Sequence, residues 1–423
     1  MTLGLIPYLV AITVLQVAQY QAFSLLDDGT AAFFALIALQ FAKLPVAAAR
    51  ARDLGWDGDE AVIAVVPFAN IALYIRLLAR RPSDEERAAR SKVHAGESSA
   101  YALMAWGASH APRAMLVGGV AWVLVCLLDT AAVLGMESLA EPGRYSPSTL
   151  ELLRQGAKGA SLLLGLLTLL QFRAMRSAQI KNPTRASWFP TIFLFASLLT
   201  WGGAAAAGGA GTAAAPAQMQ MIGSILFATA TLSFWAVTST WAACVSHLAA
   251  RALLSGEPVH FGMWSESARR VIELSGAHAA VRYLVSIGFQ VFFVPGALYA
   301  SRYALVDQVG WEEEGSALGR AGALSKGHRQ RVFRALMIAG VPFAYGSLMI
   351  SVLVLGSPAR LVEMMQNPYV LPVQWQALVS ALFGVAALVF ELGATRMYFE
   401  RTGQLTDGRL VREAAATAVS DPS

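Results

Sequence analysis

The sequence has little charge and almost no cysteine. Charged residues account for 14% of its 423 residues, whereas an average soluble domain contains about 25%. The mean hydropathy is +0.52, so the composition excludes an ordinary soluble domain. The two cysteines, Cys126 and Cys244, stand within apolar stretches and form no CxxC pair. We therefore predict neither a disulfide framework nor a cysteine metal site.

Motifs that commonly identify enzymes are also missing. The histidines show no HxxxH or HExxH spacing, and no nucleophile, phosphate-binding or dinucleotide-binding motif occurs in a suitable context. We therefore expect a non-enzymatic protein with no catalytic residue, no cofactor and no metal ion. All six histidines stand outside the apolar stretches or at their ends, and we expect each to lie at the surface: His94, His110, His247, His260, His278 and His328.

What the sequence does contain is a series of long apolar stretches. Several approach the ~20 residues that an α-helix needs to cross a bilayer, which predicts an all-α, polytopic transmembrane bundle. The net charge of +5 is interpreted as basic cytoplasmic loops and not as a nucleic-acid surface. Eight stretches are predicted to cross the membrane: 4–26, 30–49, 114–136, 157–175, 188–207, 219–248, 332–355 and 375–398.

Two further apolar stretches, 61–79 and 281–305, are interrupted by proline. The first contains Pro67, and the second contains Pro295 followed by Gly296. Because proline lacks an N–H and clashes with the preceding turn, we predict a helix break at each. Basic residues flank both segments on either side, and the positive-inside rule then places both ends in the cytoplasm. We predict two re-entrant or interfacial segments, with both chain termini cytoplasmic.

Polar side chains occur inside several apolar stretches. Gln16 and Gln19 share one helix face, where amides usually bond to a neighbouring helix. Lys43 is expected to extend to the membrane interface. An ionisable or strongly polar group at membrane depth is a functional candidate by default. The candidates are Asn70, Gln290 and Glu391, and for Glu391 we expect an arginine partner such as Arg396 or Arg302 in preference to a transport role.

Residues 312–326 are predicted to form an amphipathic helix on the cytoplasmic face, because Ala317, Leu318, Ala321 and Leu324 form one stripe. The acids at 312–314 are interpreted as a solvated cap at its N-terminus. A second interfacial helix is predicted between residues 251 and 282. The basic residues that follow the first helix are candidates for binding anionic lipid headgroups: Lys326, Arg329, Arg331 and Arg334.

Three motifs in the C-terminal half carry a family resemblance. They are VPGALYASRYALVD at 294–307, WEEEGSALGRAGALSKGHRQRVF at 311–333 and the helix end MYFERTGQ at 397–404. This half resembles the membrane domain of glycerophosphodiester phosphodiesterases and of related free-standing bacterial inner-membrane proteins. Glu400 stands where the family has aspartate. The catalytic domain of the fused enzymes has no counterpart here, so the resemblance implies a bacterial inner-membrane location and an architecture, without the activity.

The N-terminal half carries a second, shorter resemblance. An Arg-rich turn with Asp-Leu-Gly follows the second apolar stretch, and a proline interrupts the next one. Residues 30–82 resemble a family of small bacterial inner-membrane proteins of unknown function. Arg52 stands where that family often has histidine. The matching residues are Arg50, Arg52, Asp53, Leu54, Gly55, Trp56, Gly58 and Pro67.

These patterns predict an N-terminal membrane half (1–220), a C-terminal membrane half (221–410) and a polar tail (411–423). The function we expect is that of a scaffold or accessory subunit that organises partners or lipids at the cytoplasmic leaflet. The expected partners are anionic lipid headgroups, other proteins or a second copy of the chain, and not nucleic acid. The alternative is a transporter or lipid carrier that uses the broken segments and the intramembrane polar residues.

Overall fold

The computed structural model describes ten ranges of the chain, together with a few single positions between them, and almost all of them are helical. The ranges are 4–24, 29–56, 58–65, 69–78, 98–128, 238–268, 293–313, 317–360, 373–406 and 408–410. The predicted stretches 157–175 and 188–207, most of 219–248 and the tail 411–423 lie outside the described residues. The count of eight crossings therefore stays a prediction.

The N-terminal elements include two long helices and a segment that changes helix type. Their bounds are α1 (Leu5–Ser24), α2 (Thr30–Asp53), a 3-10 helix (Gly58–Val65) and α3 (Ala69–Leu77). The next helix, α4, covers Ala100–Ala114, passes through a π turn at Met115–Gly119 and ends at Leu128.

The remaining described elements are α-helices and one short hairpin. The helices are α5 (238–255), α6 (262–268), α7 (Phe293–Tyr303), α8 (Val306–Glu312), α9 (Ala317–Ser325), α10 (Arg329–Leu355) and α11 (Val373–Arg401). The hairpin pairs β1 (Leu405–Thr406) with β2 (Arg409–Leu410) in antiparallel register, a small addition to the all-α class predicted from sequence.

Five of the described helices are long and apolar enough to cross a membrane, which supports a membrane-embedded protein. They are α1, α2, α4, α10 and α11, and each coincides with a stretch predicted to cross. The helix α4 begins at Ala100, however, and not near residue 114 as we expected. The Ser99 hydroxyl accepts the N–H of Ala102 at 3.1 Å and caps its start, and Pro112 removes only one hydrogen bond from a helix that continues through the π turn.

The chain divides into two compact units that alternate along the sequence. The first unit consists of Met1–Ser109 and Gln330–Gly393, and the second of His110–Arg329 and Ala394–Ser423. The helices α4 and α11 each contribute residues to both units. The division into an N-terminal and a C-terminal membrane half stays a prediction. The boundary expected at residue 220 itself lies outside the described residues.

In the first unit, α1 and α2 form a helical hairpin, and the 3-10 helix and α3 pack against α2. At about 2.0 Å per residue for the 3-10 helix and 1.5 Å for α3, neither element approaches the ~30 Å of a hydrocarbon core. The predicted stretch 61–79 is thus divided between two short elements of different helix type. Pro67 lies between them, outside the described residues.

In the second unit, α9 packs against both α7 and α8. The amphipathic helix expected over 312–326 is confirmed for its central part, since Ala321 and Leu324 of the apolar stripe are buried. Gly327 follows with a φ of 84°, a left-handed conformation that glycine adopts readily and that commonly ends a helix.

Two glycines of the first unit bring α4 and α11 into close contact. A methyl group on Gly107 would lie 2.5 Å from the carbonyl oxygen of Val389, and one on Gly393 would lie 3.1 Å from the carbonyl oxygen of Leu103. Small residues at such crossings allow membrane helices to approach backbone to backbone.

We predict that Gly107→Ala destabilises the protein by about 1–3 kcal/mol, because the added methyl group has to push α11 away. The control is Gly340→Ala in α10, where an added methyl group meets nothing within 4 Å. This variant should be neutral or stabilised by up to about 1 kcal/mol, since alanine is the better helix former. Thermal unfolding of both variants in the same detergent tests the difference, and equal melting temperatures would contradict it.

Candidate functional site

The first unit contains a lysine buried inside a candidate membrane helix. Lys43 is 1% exposed and lies about 15 Å along α2 from its last residue, in a helix about 36 Å long. We expected Lys43 to reach the membrane interface, and this was wrong. The helix extends beyond the apolar stretch to Asp53, which places Lys43 deeper, and amide side chains surround its ammonium group.

Two glutamines hold the Lys43 ammonium group. It donates to the side-chain oxygen of Gln19 on α1 and to that of Gln40, one turn earlier on α2, at 3.1 Å. Gln19 also donates its amide N–H to the Gln40 oxygen at 2.9 Å. The expectation that Gln19 bonds to a neighbouring helix is therefore confirmed, whereas Gln16 on the same helix is exposed.

The same network reaches the end of the 3-10 helix. The Ala64 carbonyl oxygen accepts the amide N–H of Gln40 at 3.1 Å and the hydroxyl of Tyr74 at 3.4 Å. The Val65 carbonyl oxygen accepts the hydroxyl of Tyr345, from α10, at 2.8 Å. Side chains from α2, α3 and α10 thus donate to the last two carbonyl oxygens of the 3-10 helix.

A buried ion pair lies at the end of α2. Arg50 contacts Asp53 one turn later and donates its Nε–H to the Leu77 carbonyl oxygen at the end of α3, at 3.0 Å. Both side chains are buried. Nearby, Arg76 stacks 4.6 Å from the centre of the Trp56 ring and lies 3.4 Å from a Glu60 carboxylate oxygen. Arg50, Asp53 and Trp56, which belong to the motif of the N-terminal resemblance, thus take part in contacts that connect α2, the 3-10 helix and α3.

The second unit contains a buried histidine that sequence reasoning missed. We expected His247 at the surface, but it is fully buried in α5. Its ring nitrogens lie 3.2 Å from the Thr395 hydroxyl oxygen and 2.9 Å from a Glu312 carboxylate oxygen, and its ring stacks on Phe399 with centroids 5.9 Å apart. The apolar residues on both sides of His247 in the sequence were the signal that could have placed it inside.

Glu312 is the centre of a set of positive charges. Arg251, one turn after His247 on α5, lies 3.0 Å from the same Glu312 oxygen, and Arg270 bonds to the backbone carbonyl of Trp311 at 3.0 Å. Burial favours the neutral acid, but the hydrogen bond and charge of His247, followed by the charges of Arg251 and Arg270, outweigh it. The net effect is a pKa of Glu312 below its usual value.

Glu313 makes separate contacts to two helices. Its carboxylate oxygens lie 2.8 Å from Arg320 on α9 and 3.1 Å from the Tyr398 hydroxyl on α11. The interpretation of residues 312–314 as a solvated cap of α9 is therefore wrong for Glu312 and Glu313. Glu312 ends α8, and Glu313 is extended, so the two carboxylates point to different partners. Glu314 lies outside the described residues.

The predicted headgroup cluster divides into exposed and buried members. Lys326 and Arg329 are exposed, whereas Arg331 and Arg334 are buried. Arg331 and Arg334 are thus incorrect candidates for a surface site. Both lie on parts of the α10 surface that are packed inside the protein. Arg334 also donates to the Gln330 carbonyl oxygen of its own helix, at 3.3 Å.

Only some of the remaining polar and helix-breaking candidates lie among the residues that the structure describes. Asn70 is half-buried in α3 and Glu391 is buried in α11. Arg396, which we considered as a partner of Glu391, lies 3.2 Å from Glu400, and Arg302 stacks on Tyr303 at 5.2 Å.

The described part of the chain contains Pro295 and Gly296 in the first turn of α7. Gln290 lies outside the described residues, as does the stretch just before α7, so the break at Pro295 stays a prediction.

Within the described ranges, no group of three or more histidine, cysteine or acidic side chains is arranged to hold a metal ion. The chain matches no protein-family model, no curated protein and no solved structure.

We predict that Glu312→Gln destabilises the protein by about 1–3 kcal/mol at neutral pH, because His247 and Arg251 lose their charged acceptor. The folded-state pKa of Glu312 is depressed below the ordinary value of a glutamate. Its contribution to stability is therefore fully present above that ordinary pKa and is lost as the pH falls through the depressed value. Melting curves of both proteins from pH 7 to pH 3 should therefore converge at the acidic end.

The control for this experiment is Glu266→Gln, which removes the charge of an exposed glutamate in α6. We expect its melting temperature to follow that of the wild type at every pH. A constant difference between Glu312→Gln and the wild type down to pH 3 would show that the carboxylate charge does not stabilise the fold.

Proposed function

We propose that the protein is a non-enzymatic integral membrane protein that organises anionic lipids and protein partners at the cytoplasmic leaflet of a bacterial inner membrane. The observation that carries the proposal is the position of two exposed basic residues at the end of a candidate membrane helix. Arg329 is the first residue of α10, and Lys326 precedes it in the turn after α9. Residues at the end of a spanning helix lie at the level of the lipid headgroups.

The packing of α9 supports this proposal. Its apolar stripe is buried against α7 and α8, so the turn at 326–329 is held by a packed helix and not by a free linker. Two acids that precede α9 are engaged by basic residues, Glu312 by Arg251 and Glu313 by Arg320. The charges of Lys326 and Arg329 are therefore available to anionic headgroups, which attract basic residues by about 1 kcal/mol each.

A second candidate function is that of a transporter or lipid carrier. The observation that favours it is the position of Lys43 near the middle of α2, hydrogen-bonded through Gln40 to the end of a 3-10 helix. Transporters place substrate and ion sites where broken helices expose backbone groups near the bilayer midplane. The closed set of hydrogen bonds around Gln40 is equally suited to holding helices together, which is why we place this function second.

We predict that Lys326→Glu combined with Arg329→Glu weakens the binding of phosphatidylglycerol. Losing the attraction of two basic residues costs roughly 2 kcal/mol, a factor of about 30 in affinity. Native mass spectrometry of the purified protein, titrated with phosphatidylglycerol, measures the change. Arg360→Glu is the control, because it reverses one exposed charge beyond the other end of α10. A double variant that binds this lipid as well as the wild type would rule out the proposed surface.

The orientation of α10 provides a second prediction. In a Cys126→Ala background, in which the remaining Cys244 is buried, single cysteines replace Lys326 or Ala359. A membrane-impermeant maleimide added to intact cells should label position 359 and should label position 326 only after permeabilisation. Labelling of position 326 in intact cells would reverse the orientation and would remove the cytoplasmic leaflet from the proposal.

A further inference from the structure

The Lys43 ammonium group has one more hydrogen-bond donor than the described residues have acceptors for it. An ammonium group carries three N–H donors. The described residues provide two acceptors, the side-chain oxygens of Gln19 and Gln40. The side chain is 1% exposed, so bulk water does not reach the third donor in this conformation.

The charge of Lys43 also lacks a carboxylate partner among the described residues. Two buried acids of the same unit are engaged by arginine, Asp53 by Arg50 and Glu60 by Arg76. A buried charge is stable only when it is paired and hydrogen-bonded. The side-chain oxygens of Gln19 and Gln40 therefore form part of a binding site around Lys43. No described residue supplies the negative charge that would complete it.

The helix that covers Lys43 is held by little buried apolar surface. Tyr8 is the one residue of α1 that is fully buried, and its hydroxyl group has no hydrogen-bond partner among the residues that the structure describes. The outward side of α1 is apolar and exposed, with Ile6, Val14 and Phe23 each more than half accessible. A small displacement of α1 from α2 would open the layer that contains Gln19 and Lys43. It would withdraw Tyr8 from a core whose other buried members all lie between residues 47 and 77.

We infer that Lys43 binds an oxyanion, a carboxylate or a phosphate group, which enters between α1 and α2 and accepts the third N–H of the ammonium group. Gln40 positions the ammonium group, because its own N–H is fixed by the Ala64 carbonyl oxygen. The oxyanion supplies the negative charge that the described residues do not. This site goes beyond the proposed binding of headgroups at Lys326 and Arg329, which lie outside the membrane core.

The experiment measures the melting temperature of the full chain with two kinds of oxyanion. The soluble probes are inorganic phosphate and acetate, added to the protein in detergent. The lipid probe is a nanodisc of phosphatidylglycerol, compared with one of phosphatidylcholine. At least one probe in saturating excess should raise the wild-type melting temperature by about 3 °C or more. A response to soluble anions identifies a small-molecule site, and a response to phosphatidylglycerol alone identifies a lipid headgroup site.

Lys43→Met should abolish the rise in melting temperature. Arg360→Met, which removes an exposed charge beyond the C-terminal end of α10, should keep it. Gln19→Leu removes one of the two protein acceptors, so the oxyanion then meets two open donors and the rise should become larger. A wild type that responds to none of the probes overturns the inference, as does a Lys43→Met variant that responds like the wild type. If Lys43→Met cannot be purified, the inference is overturned when the oxyanion raises the melting temperature of Gln19→Leu by the same amount as that of the wild type.

Discussion

The carbonyl oxygens at the end of the 3-10 helix have to be satisfied inside the protein, and the first unit is arranged around this requirement. In the hydrocarbon region no water is available to a free carbonyl group, and each unsatisfied group costs several kcal/mol. Gln40 and Tyr74 donate to Ala64, and Tyr345 donates to Val65. These hydrogen bonds connect α2, α3 and α10 to one short segment. The side-chain oxygen of Gln40 also accepts a hydrogen bond from the Lys43 ammonium group.

In the second unit, charged side chains provide the partners for a buried polar group, the imidazole ring of His247. His247 has both ring nitrogens within hydrogen-bonding distance of partners, and one of these, Glu312, is shared with Arg251. The depressed pKa of Glu312 shows that the positive charges around it outweigh its burial. A neutral side chain at position 312 would leave His247 and Arg251 without an anion. The cluster therefore stabilises the contact between α5, α8 and α11 at neutral pH.

Sequence patterns located the helices better than they located the polar contacts. The five candidate spans coincide with predicted stretches because hydropathy is a local property, and the α9 stripe follows from its spacing. The errors have a common cause. The start of α4 was placed too late because the predicted stretch began only where the continuous apolar run begins, near residue 114. Lys43, His247, Arg331 and Arg334 were assigned to interfaces or surfaces because each was judged by its neighbours in sequence and not by the helices packed against it.

The sequence by itself determined that the chain is a helical membrane protein, since long apolar stretches have few other stable environments. Only the tertiary structure decided which polar groups meet. His247 and Thr395 are 148 residues apart, and Tyr345 and Val65 are 280 residues apart. Such pairs depend on how helices from distant parts of the chain pack, because a hydrogen bond forms only within about 3.5 Å and no local pattern encodes that approach.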